Sequence, residues 1–205
     1  RVDEKTLVPL PKQNVDTGMG LERTNCILQG KTSVYLTEVF QPIIAKIEEL
    51  SGYKYGSDEE KDKSVRIIAD HSRASVFIIG DPKGVSPSNV GAGYVLRRLI
   101  RRAVRHGMKL GIEKNFLADI AQAVIENLKC AYPELEQNKE KIFTELSAEE
   151  NKFRDTLRKG EAEFQKLLPN LMKNPKKEIS GKIAFRLYDT FGFPLELTQE
   201  LGAEN

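Results

Sequence analysis

Gly93-Tyr94-Val95-Leu96-Arg97-Arg98-Leu99-Ile100-Arg101-Arg102-Ala103-Val104-Arg105-His106-Gly107-Met108 is the stretch that decides the fold. At about 100° per residue, Arg97, Arg98, Arg101, Arg102 and Arg105 fall within one arc of roughly 140°. Tyr94 sits at the middle of that arc, and Lys109 lies just beyond the helix on the same side. Val95, Leu96, Leu99, Ile100, Ala103 and Val104 take the opposite half, which must be buried. Five guanidinium groups on three turns repel one another. No Asp or Glu occurs between Asp81 and Glu113, so the neutralising charge must come from outside this stretch. A phosphate backbone suits the planar guanidinium fork. Acidic residues of another helix, or a solvated face, are the alternatives.

The 205 residues suffice for one large or two small domains. With 40% apolar and 30% charged residues, the composition fits a soluble globular protein rather than a disordered one. Net charge is only +2, so the basic character is local, as in a nucleic-acid footprint. Cys26 and Cys130 lie far apart without metal-ligand spacing, and a reduced cytoplasmic compartment is expected. No apolar run approaches the roughly 18 residues of a membrane span. The opening Arg-Val-Asp-Glu-Lys is not a signal peptide and lacks an initiator Met, which suggests an excised fragment.

Along the chain, Pro9 and Pro11 make residues 5–18 an edge strand or loop. Gly18 and Gly20 then lead into a helical pattern on which Leu21 and Leu28 share a face. Glycines there let backbone approach a ligand, and a helix N-terminus offers N–H groups to an anion. The dinucleotide fingerprint is incomplete, since Arg23 stands in place of the third glycine, and on these residues alone a tight strand-to-helix turn is the better reading. A helix is expected from Thr37, as N-cap, to Leu50, with Gly52 as its stop. Ser51–Lys63 is expected to be a surface loop, and Ser64–Ile79 a helix on which Asp70 and His71 point apart. The loop 80–93 holds Ser88 and Asn89 at the mouth of the arginine helix. Further helices are expected around Phe116–Leu128 and over Glu134–Leu168, where Gly160 weakens the pattern and a break follows at Pro169. Ser180 caps a helix through Leu187, Tyr188–Pro194 makes an aromatic turn, and Pro194 starts a last helix.

Three ordered stretches resemble alanyl-tRNA synthetases: Val15-Asp16-Thr17-Gly18-Met19-Gly20-Leu21-Glu22-Arg23, then Ser86-Pro87-Ser88-Asn89 through Gly93–His106, and Phe185-Arg186-Leu187-Tyr188-Asp189-Thr190-Phe191-Gly192-Phe193-Pro194. Asp70-His71-Ser72-Arg73 matches as well, so the resemblance covers nearly the whole chain. It implies a mainly α fold. A helical bundle, the tRNA-recognition domain of a class II synthetase, is preceded by a short β/α remnant of the catalytic domain. Residues 1–30 would be the end of that catalytic domain, carrying motif 3, and residues 31–205 the recognition domain, stopping before the editing domain.

The same resemblance implies roles. Arg23 would lie against the ATP phosphates and balance charge as the alanyl-adenylate forms. Asp16 would hold the α-amino group of alanine, with Gly18 and Gly20 leaving room for close backbone contact. Asn89 and Asp189 would read a G·U pair of the tRNA(Ala) acceptor stem, whose shallow minor groove displays the guanine amino group. Arg97, Arg98, Arg101, Arg102 and Arg105 would grip stem phosphates. The parent would be an alanine–tRNA ligase using L-alanine and ATP with Mg, with zinc confined to the editing domain. The fragment itself would need no cofactor and bind neither DNA nor membrane. Ala92 departs from the Arg that many members carry there. A stand-alone RNA-binding module and a scaffold with an acidic protein partner are the rival readings. Because motifs 1 and 2 should lie upstream of this stretch, the pure chain is expected to show no ATP–pyrophosphate exchange. Appreciable exchange in that assay would contradict the assignment.

Overall fold

The computed structural model describes residues 8, 9, 11, 12, 14, 15, 17–172, 178–191, 193–195, 198, 199 and 202, without the side chains of 170–172 and 191. All regular structure among these residues is helical. The β part of the expected β/α remnant is therefore a correction: the described residues before Leu21 form no strand. A strand is held by ladder hydrogen bonds to a neighbour, and no second strand is offered here. The chain divides into two compact units, Arg1–Gln41 and Pro42–Asn205.

In the first unit, α1 spans Leu21–Leu28 and a single 3-10 turn spans Val34–Leu36. The two are tied by Glu38, which accepts from Asn25 Nδ2 at 2.9 Å and from Gln29 Nε2. Those hydrogen bonds, Gln29's first, hold the Glu38 carboxyl below its ordinary range. Thr37 does not cap a helix as expected. Its Oγ1 donates to Val34 O at 2.6 Å, closing the 3-10 turn, and the next helix starts four residues later.

The second unit is a bundle. It contains α2 (Gln41–Ser51, whose first residue belongs to the first unit), α3 (Glu59–Gly80), α4 (Gly91–Lys109), α5 (Leu117–Leu128), α6 (Pro133–Gln137), α7 (Lys139–Met172) and α8 (Gly181–Phe191). The α3–α4 pair shares the most extensive interface, and α3, α4 and α5 all pack on α7. Ile68, Val76 and Ile79 of α3 are fully buried, as are Leu96, Ala103 and Val104 of α4. Each large side chain so buried contributes roughly 1.5–3 kcal/mol. Helix α3 begins five residues before the expected Ser64, because Asp58 caps it: its Oδ1 accepts from Lys61 N at 2.9 Å.

Two glycines act as packing notches rather than weak points. A Cβ at Gly107 would run into the Phe116 ring, and one at Gly160 would stand 2.8 Å from Phe193 Cβ. Gly160 thus seats the residue that follows α8. The expected break at Pro169 is another correction, for α7 runs on to Met172. Pro169 falls in its last turn, where it forfeits one N–H bond to the residue four before it and only three helical residues follow. Tyr188–Phe191, expected as a turn, continues α8.

One carboxylate links α7 to the start of α5. Glu150 of α7 is fully buried. It accepts from Phe116 N at 3.2 Å and Leu117 N at 3.0 Å, capping α5, which has no side-chain cap of its own. Burial pushes its carboxyl up, while those N–H groups and Arg154 oppose the shift. Arg154 pairs with Glu150 at 3.1 Å and donates to the carbonyls of Ile112, Glu113 and Lys114. Glu150→Ala would orphan two N–H groups and take the carboxylate partner from a half-buried guanidinium. We expect it to cost roughly 3 kcal/mol and to lower Tm by roughly 6–12 °C in a thermal melt.

Candidate nucleic-acid interface

The arginine helix, α4, runs Gly91–Lys109, wider at both ends than the sequence pattern required. Its apolar half is buried at Leu96, Ile100, Ala103 and Val104, half-buried at Leu99, and open at Val95, which is 56% exposed. Val95 is a correction to the expected dry face. It lies on the flank of α4 where the neighbouring helices give no cover.

The cationic arc is divided. Glu149 of α7, only 6% exposed, lies between two of the arginines. Its Oε1 is 2.6 Å from Arg101 Nε and 3.3 Å from Arg97 Nε. Arg101 also sits over the Phe153 ring, 5.0 Å from its centroid. Part of the expected external neutralisation therefore comes from this same chain. Arg105 is half-buried. Arg98 and Arg102 are exposed and have no hydrogen bond or ion pair among the described residues. Four residues apart, they form one row with Tyr94, itself 45% exposed.

Asn89 lies in the loop that enters α4, two residues before its first. It is exposed and engaged by no described residue. Val90 next to it is 76% exposed. The loop and the open side of α4 thus expose an amide, an aliphatic side chain, a phenol and two guanidiniums. Such a surface can neutralise phosphates, stack, and donate or accept at base edges. Asp189 lies on the outward side of α8, exposed and likewise without a described partner. Both α4 and α8 pack on α7. The sequence pattern did not reveal the division of the arginines, because Glu149 lies 48 residues from Arg101.

In the first unit, Asp16 lies outside the described residues. Gly18 has open space around it, and Gly20 precedes α1. A Cβ at Gly20 would come within 3.2 Å of Arg23 Nε, so the guanidinium folds back over that glycine. A guanidinium beside an N-terminal turn with no side-chain cap suits a phosphate. Among the described residues no group of three or more His, Cys, Asp or Glu could hold a metal ion. No helix of the described residues is long and apolar enough to cross a membrane.

Other polar features serve the fold. A cleft of about 440 Å³ lies at the far end of α4, lined by Met108, Glu113, Asn151 and Asp155 among others. Its Arg154 is already committed to backbone carbonyls. Asp70 and His71, expected to point apart, meet at 3.3 Å, and that hydrogen bond holds Asp70 below its ordinary range. His106 Nδ1 is 3.0 Å from Ser64 Oγ across the α3–α4 interface.

The family model described as tRNA synthetases class II (A) matches residues 1–205. The chain belongs to that family. It is 56% identical over 197 residues to the alanine–tRNA ligase of Treponema pallidum and 64% identical over 197 residues to that of Treponema denticola. Each match takes in 96% of this chain and 33% of the relative. The alanine–tRNA ligase of Thermotoga maritima is 50% identical over 202 residues, with 98% of this chain and 23% of the relative covered. The chain thus spans a third or less of the length of these relatives. The resemblance carried by the three motifs is borne out at the level of the family.

His106 generates a pH prediction. Burial first, then Lys109, Arg102, Arg105 and His71, lower its pKa from 6.5 to about 4. Its folded value lies below its unfolded one, so its contribution is intact above pH 6.5 and is lost as pH falls towards 4. Discounted for partial exposure, the loss is about 2 kcal/mol. Urea unfolding at pH 7 and pH 4.5 should show wild type losing that much more stability than His106→Gln. Equal losses would remove His106 from the acid limb.

Proposed function

We propose that this chain is the portion of an alanine–tRNA ligase that closes the catalytic domain and recognises the acceptor stem of tRNA(Ala). In that reading the parent enzyme activates L-alanine with ATP and Mg and transfers it to the tRNA in the cytoplasm. The observation that carries the reading is the open row of Tyr94, Arg98 and Arg102 on α4, together with Asn89, exposed and without a partner among the described residues, in the loop that enters the same helix. Family membership and the names of the relatives support it.

Each residue then has a stated task. Arg98 and Arg102 neutralise stem phosphates and set the register of the protein on the duplex. Arg97, Arg101 and Arg105 flank them. Asn89 and Asp189 read the G·U pair in the shallow groove, the carboxylate accepting from the guanine amino group and the amide both donating and accepting. Asp16, Gly18 and Gly20 belong to the alanine and adenylate pocket. Arg23 balances the phosphate charge that ATP brings to that pocket. Residues 1–30 are the end of the catalytic domain and 31–205 the recognition domain. The first unit supports its half of this reading: Met19, Leu21, Ile27 and Leu28 are each at least 61% exposed, an apolar surface suited to packing against more of a catalytic domain. A scaffold bound to an acidic protein accounts for neither the free amide nor the motif 3 stretch.

The test compares binding of an alanine acceptor stem carrying G·U with one carrying G·C. Wild type should prefer G·U by about 1–3 kcal/mol, and Asn89→Ala and Asp189→Ala should each lose that preference. Arg98→Ala should weaken both stems alike and reduce the log–log salt slope by about 0.7–0.9. A wild type that binds both stems equally would defeat the base-reading assignment.

A further inference from the structure

The loop that carries Asn89 leaves α3 with Val85 N donating to Ile78 O at 3.2 Å and is then held from two sides. On one side it lies directly on the first turn of α4. Ser88 N donates to Gly93 O at 3.1 Å, and Ser88 Oγ donates to Val90 O at 2.9 Å. Gly93 is buried, and a Cβ there would stand 2.6 Å from Ser86 O. Only glycine permits that approach, because a real Cβ essentially never comes so near a backbone oxygen. On the other side, Ser86 Oγ donates to Glu145 Oε1 of α7 at 2.8 Å, across 59 residues of chain.

Asn89 makes no contact of its own that would orient it among the described residues. Its direction is inherited from the loop backbone, and the loop is pinned at Ser86. Glu145 is one turn before Glu149, so the two carboxylates share a face of α7. One sets the arginines and the other sets the loop.

We propose that Glu145, acting through Ser86, is a positioning residue for Asn89, so that discrimination between base pairs depends on a side chain that does not touch the RNA. This rests on the reading of Asn89 as the base-contacting amide. Glu145 works as a hydrogen-bond acceptor in this role, not as a charge. Glutamine retains an acceptor oxygen and alanine does not.

The experiment measures binding of the G·U and G·C stems to wild type, Ser86→Ala, Glu145→Ala and Glu145→Gln, with Tm, salt slope and amide hydrogen exchange at Ser88. Ser86→Ala and Glu145→Ala should each lose roughly three- to tenfold of the G·U preference, the worth of one hydrogen bond. Glu145→Gln should keep it. Tm and salt slope should stay at wild-type values, since neither the core nor the arginines change. The Ser88 amide should exchange faster in both alanine variants. If wild type separates the stems and Glu145→Ala separates them equally well, the positioning role is wrong while the reading of Asn89 stands. If wild type does not separate them, the reading of Asn89 fails and takes this inference with it. Unchanged Ser88 exchange in Glu145→Ala overturns the clasp whatever the RNA does. A fall in Tm with equal weakening of both stems would mark Glu145 as mere scaffolding and overturn it too.

Discussion

The bundle depends on carboxylates presented along α7 to groups that come from distant parts of the chain. Glu149 is the central one. Arg97 and Arg101 sit one turn apart on α4 and are carried into a half-buried interface. Two like charges about 6 Å apart repel by roughly 3 kcal/mol at an effective dielectric of 20. An apolar residue in place of Glu149 would leave that repulsion standing and desolvate both guanidiniums. The acid therefore offsets the cost of bringing this side of α4 against α7. Glu150, the next residue, points elsewhere and holds the start of α5. Glu145, one turn earlier, holds the loop before α4.

This arrangement divides the labour of a uniform-looking arginine pattern. Arg97 and Arg101 are architectural, each within 3.3 Å of Glu149. Arg98 and Arg102 stay exposed, with no hydrogen bond or ion pair among the described residues. The division follows from helical geometry, because adjacent arginines differ by about 100° and cannot both face one neighbour. Placing the acid on α7 rather than α4 keeps negative charge away from the open face. The exposed cations of that face, Arg98 and Arg102, are thus concentrated locally in a chain whose net charge is only +2.

What the sequence made legible was whatever is periodic or local. The arginine helix, its buried row of Leu96, Ile100, Ala103 and Val104, and the Ser180 cap of α8 all follow from spacing of 3 and 4 or from cap chemistry. The start of α3 was legible too, in Asp58 and the acids after it, but the polarity of that stretch suggested a loop. The rest is tertiary. Gly160 looks like a helix weakener until Phe193 is placed on it. Val95 looks like core until the neighbouring helices turn out not to reach it. Nothing in residues 93–108 announces which arginines an acid 48 positions away from Arg101 will claim. For the candidate site, motif order located Asn89 and the open arginines, whereas Glu145 and Ser86 are joined only by the fold.

Helix α7 has 34 residues, about 50 Å of rod. Its Glu145–Glu150 stretch and its Gly160 notch must each face a fixed neighbour. Adding or deleting one residue between positions 150 and 160 would swing one end about 100° relative to the other. Either the carboxylates would turn away from α4 and α5, or the notch would turn away from Phe193. An insertion near 7 or 11 residues would restore the facing but would carry the notch about 10–16 Å along the axis, so the length of that segment is fixed by the neighbours at its two ends.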